Sequence, residues 1–371
     1  MSSAAEQWLE RLVAFPSIPG SPQTALAQSL GPVLESMGAH VDLSPGIRPD
    51  ATNLLARFGD ANQKHVLLSA HADVVPAHAP DWSSPPFKLT PRGERLYGRG
   101  TTDMKGFVAA TLAAFESFDS LIDRPVALAL STDEEIGVQG VWPLLQRIKA
   151  TMASPRFCVV GEPTEMRVAT AHKGKLYGTI AIRGIDGHSS KPGGCSAISA
   201  AARAISKLEQ RLAVDWGDDA DDRFEVPRAS FNVGTIEGGT ATNVIAGHCK
   251  FQFEVRVLPG KPVEPVAEWV DLIAREAAHP AEVEVEIAGS YPGLNEQSDL
   301  PARVARLAGT STTDLCVDFG TEAGAIQAVL GTPTVVCGPG DVAQAHTVDE
   351  FLKRSELVRA TDFVRRLIET I

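Results

Sequence analysis

Short, evenly apolar runs are the most prominent pattern in the first half of the chain. Three of them are only four to six residues long: 65–70, 126–131 and 157–160. Runs of this kind are typical of parallel strands that are buried on both faces of a sheet. Residues 106–118 predict a helix, 332–338 one more buried strand, and 350–370 a long amphipathic helix. This alternation predicts an α/β layer with a mostly parallel sheet.

The middle of the chain has a different pattern, in which apolar and polar residues alternate with a period of two. Such alternation is typical of antiparallel strands with one exposed face. The predicted order is strand 175–184, helix 195–212, strands 229–238 and 248–258, helix 261–278 and strand 282–288. This β-α-β-β-α-β order is ferredoxin-like. We therefore predict a small α+β domain at 174–289, inserted into a larger domain formed by 1–173 and 290–371.

Composition excludes several classes of protein. The 371 residues include 34 Lys and Arg and 46 Asp and Glu, and the net charge of −12 argues against binding to nucleic acid. No apolar run has the length of a membrane span, and the acidic N-terminus does not resemble a signal peptide. The five cysteines are too scattered for a disulfide framework. We expect a cytoplasmic protein without nucleic-acid or membrane partners.

Residues of types that commonly bind metals follow the predicted buried strands or precede the helix between them. They are His71, Asp73, Asp103, Glu134, Glu135, Glu162 and His346. Ligands of an open α/β sheet bind beyond the carboxyl ends of its strands, so we expect these side chains to converge. Singly, each is most often an ordinary polar loop residue. As a set they indicate a site, because acidic residues directly after buried strands are seldom left unpaired.

Imidazole and carboxylate groups suit Zn²⁺, Co²⁺ or Mn²⁺. Five ligands are too many for one tetrahedral Zn²⁺, but they suit two ions about 3.5–4 Å apart that share a carboxylate and a water. Asp103 is the natural bridge. His71 would hold one ion with Glu135 or Glu162, and His346 would hold the other with the remaining glutamate.

Two further carboxylates are expected to assist the ligands. Glu134 and Glu135 are adjacent on a turn and point in different directions, so one can bind metal while the other stays free as a general base. Asp73 lies two residues after His71 and could orient its ring.

Five motifs follow one another along most of the chain: H-A-D-V-V-P (71–76), G-R-G-T-T-D-M-K-G (98–106), D-E-E-I-G (133–137), V-V-G-E-P-T (159–164) and G-H-S-S-K-P (187–192). With them the chain resembles the di-zinc aminoacylase and carboxypeptidase G-like peptidase family. Within that family, F-G-T-E-A-G (319–324) and C-G-P-G-D-V-A-Q-A-H (337–346) are most similar to members that deacetylate N²-acetyl-L-ornithine.

The resemblance implies a role for each residue of the set. Asp103 would bridge two divalent ions, most simply Zn²⁺. By the same resemblance, His71 and Glu162 would bind one ion, and Glu135 and His346 would bind the other. Glu134 would be the general base and Asp73 the partner of the His71 ring. His188 would reach the active site of a second copy of the chain, in a homodimer formed through the small lid domain.

Three residues are candidates for binding the substrate. Arg256 lies on an alternating strand, and its planar fork suits an α-carboxylate, although a surface salt bridge is the more common role of such an arginine. Asn243 lies in a Gly/Thr turn, where asparagine is often only a turn former. Glu322 could face a distal amine of the substrate or serve as a hydrogen-bonding loop residue.

The expected function is hydrolysis of the amide bond of a small N-acyl amino acid, with N²-acetyl-L-ornithine as the leading substrate. The alternatives are another N-acetyl amino acid such as acetylcitrulline, succinyl-diaminopimelate, or a dipeptide. A metal-loaded binding protein without turnover is the alternative from another class. Loss of Glu134 or of a ligand would favour it, and all of them are present.

Overall fold

The computed structural model describes residues 2–118, 122–311 and 315–371. The helices are α1 (Ala4–Val13), α2 (Ala25–Ser36), α3 (Lys105–Glu116), α4 (Val141–Thr151), α5 (Ala197–Asp215), α6 (Glu264–Ala278), α7 (Leu300–Ala308), α8 (Ala323–Leu330) and α9 (Arg354–Glu369). The strands are β1 (His40–Pro45), β2 (Thr52–Arg57), β3 (Val66–His71), β4 (Thr90–Arg92), β5 (Arg95–Tyr97), β6 (Val126–Ser131), β7 (Phe157–Pro163), β8 (Ala169–His172), β9 (Gly174–Arg183), β10 (Gly187–His188), β11 (Ser230–Gly238), β12 (Val244–Ile245), β13 (His248–Val257), β14 (Glu282–Tyr291), β15 (Leu294–Asn295), β16 (Leu315–Val317), β17 (Thr334–Gly338) and β18 (Phe351–Lys353).

The chain divides into two compact units. The first contains Met1–Ala171, Leu294–Cys316 and Thr321–Ile371, and the second contains His172–Gly293 and Val317–Gly320. The predicted inserted domain, 174–289, lies inside the second unit, which is a few residues longer at each end and includes one additional short segment.

A mixed sheet forms the centre of the first unit. Its strands follow the order β1-β2-β6-β3-β7-β17-β8-β15, and β16 also pairs with β8. The four central strands, β6, β3, β7 and β17, are parallel to one another. The pairs toward the edges, β1 with β2, β2 with β6 and β17 with β8, are antiparallel. The predicted α/β layer is confirmed, with its parallel strands confined to the middle of the sheet.

Helices cover both faces of this sheet, which explains why its central strands are apolar throughout. Every residue of β3 and of β6 is buried. Alternate residues of a strand face opposite sides, and Val66 and Leu68 pack in the same core as Phe107 of α3. Ser69 faces the other way and donates a hydrogen bond to Glu322, directly before α8.

The C-terminal segment is the clearest local difference from the sequence prediction. A helix was expected over 350–370, but Phe351–Lys353 form strand β18 and the helix begins at Arg354. Strand β18 pairs with β5 in a small three-stranded sheet with β4. The Arg95 guanidinium lies over the Phe351 ring, 4.4 Å from its centroid. The helical periodicity of a sequence does not reveal pairing with a distant strand. The predicted helix start was therefore wrong by four residues.

The second unit has the predicted β-α-β-β-α-β order. Strands β9, β11, β13 and β14 form an antiparallel sheet in the order β11-β13-β9-β14. Strand β9 alternates between buried and half-buried residues, as its sequence pattern predicts. Helices α5 and α6 contact each other and share one apolar core with the sheet. None of the helices described in either unit is long and apolar enough to cross a membrane.

Close packing behind β7 generates a prediction for stability. A Cβ atom on Gly161 would lie 2.0 Å from atoms of the Phe107 ring, which is fully buried. We expect Gly161→Ala to destabilise the protein by about 3 kcal/mol, the upper end of the usual cost of overpacking a core. Urea unfolding measures this change. Gly31→Ala in α2 is the matched control, because its Cβ would meet nothing closer than 3.7 Å and alanine favours a helix. Equal stability of the two variants would contradict the packing.

Candidate metal centre

The predicted ligands of the first unit meet at the carboxyl ends of its parallel strands. His71 is the last residue of β3, and Glu162 is the second-to-last residue of β7. Glu135 follows β6, and His346 follows β17. Asp103 lies two residues before the start of α3. Two of these residues therefore belong to the strands themselves, although the sequence placed them just after.

His71, Asp103 and Glu162 form the first group. The distance from His71 Nε2 to Asp103 Oδ1 is 3.0 Å, and that from His71 Nε2 to Glu162 Oε1 is 3.6 Å. One ligand atom from each residue lies within 4.8 Å of the others. The three side chains can therefore face a single cation, and the pairing of His71 with Glu162 as ligands stays a prediction.

Asp103, Glu135 and His346 form the second group. His346 Nε2 lies 3.3 Å from Asp103 Oδ2 and 3.0 Å from Glu135 Oε2. The ligand atoms again lie within 4.8 Å of one another. Since Asp103 presents Oδ1 to the first group and Oδ2 to the second, its carboxylate has the geometry of a bridge between two cations.

The chemistry of these groups fits a pair of divalent ions. Glu135 Oε1 is buried and has no hydrogen-bond partner among the described residues. Burial raises the pKa of Glu162 well above its usual value, and the negative charge of Asp103 raises it further. Burial likewise raises the pKa of Glu134, with Glu135 and Asp73 adding to the effect. The site thus concentrates carboxylates where water cannot stabilise their charge, and bound cations would remove this penalty.

The two imidazoles respond to the same carboxylates. Hydrogen bonds with Asp103 and Glu135 raise the pKa of His346 to about 10. Burial lowers the pKa of His71, but the hydrogen bond with Asp103 and the charge of Glu162 outweigh it and raise that pKa well above its usual value. A raised pKa favours the protonated form of each ring, so a metal that binds there would displace a proton.

Asp73 supports the loop after β6. Its Oδ1 accepts a hydrogen bond from Glu134 N at 3.1 Å, and its Oδ2 accepts one from Glu135 N at 3.0 Å. His71 Nδ1 lies 3.0 Å from the backbone oxygen of Asp73 and 3.7 Å from its Oδ1. The carbonyl is thus the nearer partner of the ring, while the carboxylate fixes the backbone that carries Glu134 and Glu135.

Sequence reasoning missed Asp133. This residue is fully buried, and its carboxylate accepts hydrogen bonds from Gln23 Nε2 at 2.7 Å and Arg48 Nε at 3.2 Å. Its φ is 56°, and that of His346 is 61°, so two residues without a glycine's freedom are held in the left-handed region. Such backbone persists only where surrounding contacts impose it. The D-E-E motif drew attention to these positions. It did not distinguish Asp133, which holds the loop through hydrogen bonds, from the candidate metal ligand Glu135.

Glu350 is a second residue that the sequence analysis missed. Its carboxylate is fully buried and accepts hydrogen bonds from Arg99 and from three backbone amides of the segment ending at Asp103. The segment 347–350 carries no recognisable motif. The role of Glu350 depends on hydrogen bonds with Gly100 and Thr102, about 250 residues earlier in the chain, so the local sequence does not reveal it.

Glu322 is fully buried beneath the same strands. Its two carboxylate oxygens accept hydrogen bonds from Ser69 and from Ser131, the latter at 2.7 Å. These bonds agree with the role of a hydrogen-bonding residue that the sequence left open. Contact between Glu322 and a substrate amine stays a prediction.

The other three candidates lie in the second unit, where two of them are neighbours. His188 in β10 pairs with Val244 in β12, directly after Asn243. Ser189 N donates a hydrogen bond to the backbone oxygen of Asn243 at 3.1 Å. Both side chains are exposed.

Arg256 lies in β13 of the same unit. Its Nε donates to Glu254 Oε1 at 2.9 Å, and its Nη1 donates to the backbone oxygen of Asp318 at 2.9 Å. Glu254 also forms an ion pair with Lys175, with 2.8 Å between Oε2 and Nζ. The guanidinium is thus oriented by two fixed acceptors, and substrate binding by Arg256 stays a prediction.

An α/β sheet with two groups of potential metal ligands that share one carboxylate is the arrangement expected of a metal-dependent amidohydrolase. The chain belongs to peptidase family M20/M25/M40, whose model matches residues 67–370. The acetylornithine deacetylase of Myxococcus xanthus is 35% identical over 327 residues, which are 86% of this chain and 84% of that relative. The acetylornithine deacetylase of Proteus mirabilis is 33% identical over 376 residues, which are 97% of this chain and 94% of that relative.

Solved structures share the fold. The M20 family metallo-carboxypeptidase Sso-CP2 from Sulfolobus solfataricus matches with a TM-score of 0.82 over 99% of both chains, at 18% sequence identity. The predicted family and fold class are therefore confirmed.

The position of Asp103 generates a prediction for metal binding. Asp103→Ala removes one ligand atom from each group, so we expect both ions to bind more weakly, by at least the roughly 10–100-fold that loss of an outer-shell partner costs. Glu162→Ala should weaken only the ion beside His71. Equilibrium dialysis with metal analysis distinguishes the two patterns. Full occupancy of both sites in Asp103→Ala would contradict a bridging carboxylate.

Proposed function

We propose that this chain hydrolyses the amide bond of N²-acetyl-L-ornithine and yields L-ornithine and acetate, a reaction that serves arginine biosynthesis. The observation that carries the proposal is the pair of candidate ligand groups sharing Asp103, with Glu134 directly before Glu135 in the chain. The names of the two relatives, both acetylornithine deacetylases that match most of the chain, support the choice of substrate. Zn²⁺ is the proposed metal, with Co²⁺ or Mn²⁺ as substitutes, and the cytoplasm the proposed location.

The chain supplies a complete set of residues for this chemistry. When bound, two divalent ions would make water acidic enough to attack and would polarise the amide carbonyl. His71 and Glu162 would hold one ion and Glu135 and His346 the other, with Asp103 between them.

Glu134 would move the proton. Its carboxylate would take a proton from the attacking water and deliver it to the leaving nitrogen, so that L-ornithine departs as a neutral amine. Asp73 fixes the Glu134 backbone through the bond to Oδ1.

Substrate recognition is proposed for the three remaining candidates. Arg256 would bind the α-carboxylate through its planar fork, and Asn243 would hydrogen-bond the acyl amino acid. Glu322 would contribute negative charge toward the distal ammonium group of the substrate.

His188 is proposed as the donor to the oxyanion. Ser190 N donates to His188 Nδ1 at 3.2 Å, and a backbone amide can only donate, so Nδ1 is the acceptor. The neutral ring therefore carries its proton on Nε2, where it can serve as a donor. We propose that His188 reaches the active site of a second copy, in a homodimer formed through the second unit.

A kinetic screen of the metal-loaded protein tests the substrate. N²-acetyl-L-ornithine should give the highest kcat/KM among N-acetyl-L-ornithine, N-acetylcitrulline, N-succinyl-diaminopimelate and a neutral dipeptide. Preference for one of the other three would reassign the substrate within the family. Binding of all four without turnover would contradict the proposed hydrolysis.

The role of Glu134 can be separated from metal binding. Glu134→Gln keeps the size of the side chain but removes the base, so kcat should fall by about 10²–10⁴ while two ions remain bound. Metal analysis of the same preparation is the control. Loss of one ion in this variant would make Glu134 a ligand.

The shared active site predicts complementation. Glu134→Gln and His188→Ala proteins should each be nearly inactive, but mixing them should restore activity, because one site of a hybrid dimer would contain both native residues. Subunit exchange is verified with two different affinity tags. Recovered hybrid dimers without activity would refute the proposed contribution from the second copy.

A further inference from the structure

The carboxylate of Glu350 accepts hydrogen bonds from one short segment of the chain, residues 99–103. Its Oε2 accepts hydrogen bonds from Arg99 Nη1 at 2.8 Å and from Gly100 N at 2.9 Å. Its Oε1 accepts from Thr102 N at 2.8 Å and from Asp103 N at 3.1 Å. A carboxylate has about four lone-pair positions, two on each oxygen, so these four donors occupy all of them.

Three of these four donors belong to the backbone, which excludes a simple ion pair as the whole role of Glu350. An ion pair with Arg99 alone would leave the amides of Gly100, Thr102 and Asp103 to find other partners in a buried region. Unpaired amides there are costly, so removing the carboxylate should change the path of the chain leading to Asp103.

Glu350 also links the segment that ends at Asp103 to the segment that follows His346. It lies four residues after His346, the exposed ligand of the second group. Its own backbone oxygen accepts a hydrogen bond from Gly98 N at 3.0 Å. A neighbouring contact holds the same segments together, since Thr102 Oγ1 donates to the backbone oxygen of Phe351 at 2.7 Å.

We propose that Glu350 is a positioning residue of the metal centre, which holds the backbone at Asp103 so that the bridging carboxylate reaches both His71 and His346. This inference rests on the proposed metal-dependent function. Asp103 presents Oδ1 to His71 and Oδ2 to His346, so a bridge needs both of its oxygens in place. A displacement of its backbone would withdraw an oxygen from at least one group, whatever the rotamer of the side chain.

Glu350→Gln tests the proposal without removing a metal ligand. The glutamine amide has only one oxygen acceptor, and its NH₂ group would face backbone amides that also donate. Glu296→Gln is the matched control. Its half-buried carboxylate also accepts from two backbone amides, Ser298 N at 2.8 Å and Thr334 N at 2.6 Å, in the same unit.

Two measurements in the absence of substrate report on the site. Co²⁺ titration, followed by the visible spectrum of the bound ion, gives the affinity and geometry of each site. Hydrogen exchange of the peptide containing 99–103 reports on its amides. In Glu350→Gln we expect about 10–100-fold weaker binding of both ions, an altered Co²⁺ spectrum and faster exchange of this peptide. Glu296→Gln should show none of these changes.

Wild-type Co²⁺ affinity and spectrum in Glu350→Gln would overturn the proposal. If this variant does not fold, Glu350→Asp replaces it, because the shorter side chain keeps the charge but cannot reach all four donors. Wild-type metal binding by that variant would overturn the proposal in the same way. Wild-type protein that binds two ions but hydrolyses no N-acyl amino acid would contradict the proposed function and leave the role of Glu350 standing.

Discussion

The position of the Asp103 carboxylate between two imidazoles is the interaction on which the centre depends. His71 Nε2 approaches one of its oxygens at 3.0 Å, and His346 Nε2 approaches the other at 3.3 Å. Each histidine also lies beside a glutamate, so the two halves of the site are similar in chemistry and joined through a single residue. The hydrogen bonds with both histidines hold the pKa of Asp103 well below its usual value, although burial acts to raise it.

This concentration of charge constrains the rest of the first unit. Carboxylates away from water are expensive unless they are paired, hydrogen-bonded or bound to cations. The loops that carry them are therefore anchored by further buried polar groups: Asp73 beneath the loop after β6, Asp133 between Gln23 and Arg48, and Glu350 beneath the chain at Asp103. Apolar residues of β3, β6, β7 and α3 pack together in one core.

Much of this arrangement could be predicted from the sequence, because it follows from local patterns. The apolar runs of β3, β6 and β7 predicted central strands, and the polar residues at or just after their ends predicted candidate ligands, which the structure brings together. Features that depend on distant contacts could not be predicted in this way. The start of α9 is set by pairing of Phe351–Lys353 with β5, and the anchoring role of Glu350 is set by amides that lie about 250 residues earlier in the chain. Neither contact leaves a local period or motif.

Anomalous diffraction from crystals grown with Zn²⁺ tests the account most directly, because it locates the ions independently of activity. The account predicts two peaks about 3.5–4 Å apart on either side of the Asp103 carboxylate. One peak should lie beside His71 and Glu162, and the other beside Glu135 and His346. A single peak at full occupancy with excess Zn²⁺, or two peaks that do not share Asp103, would contradict it.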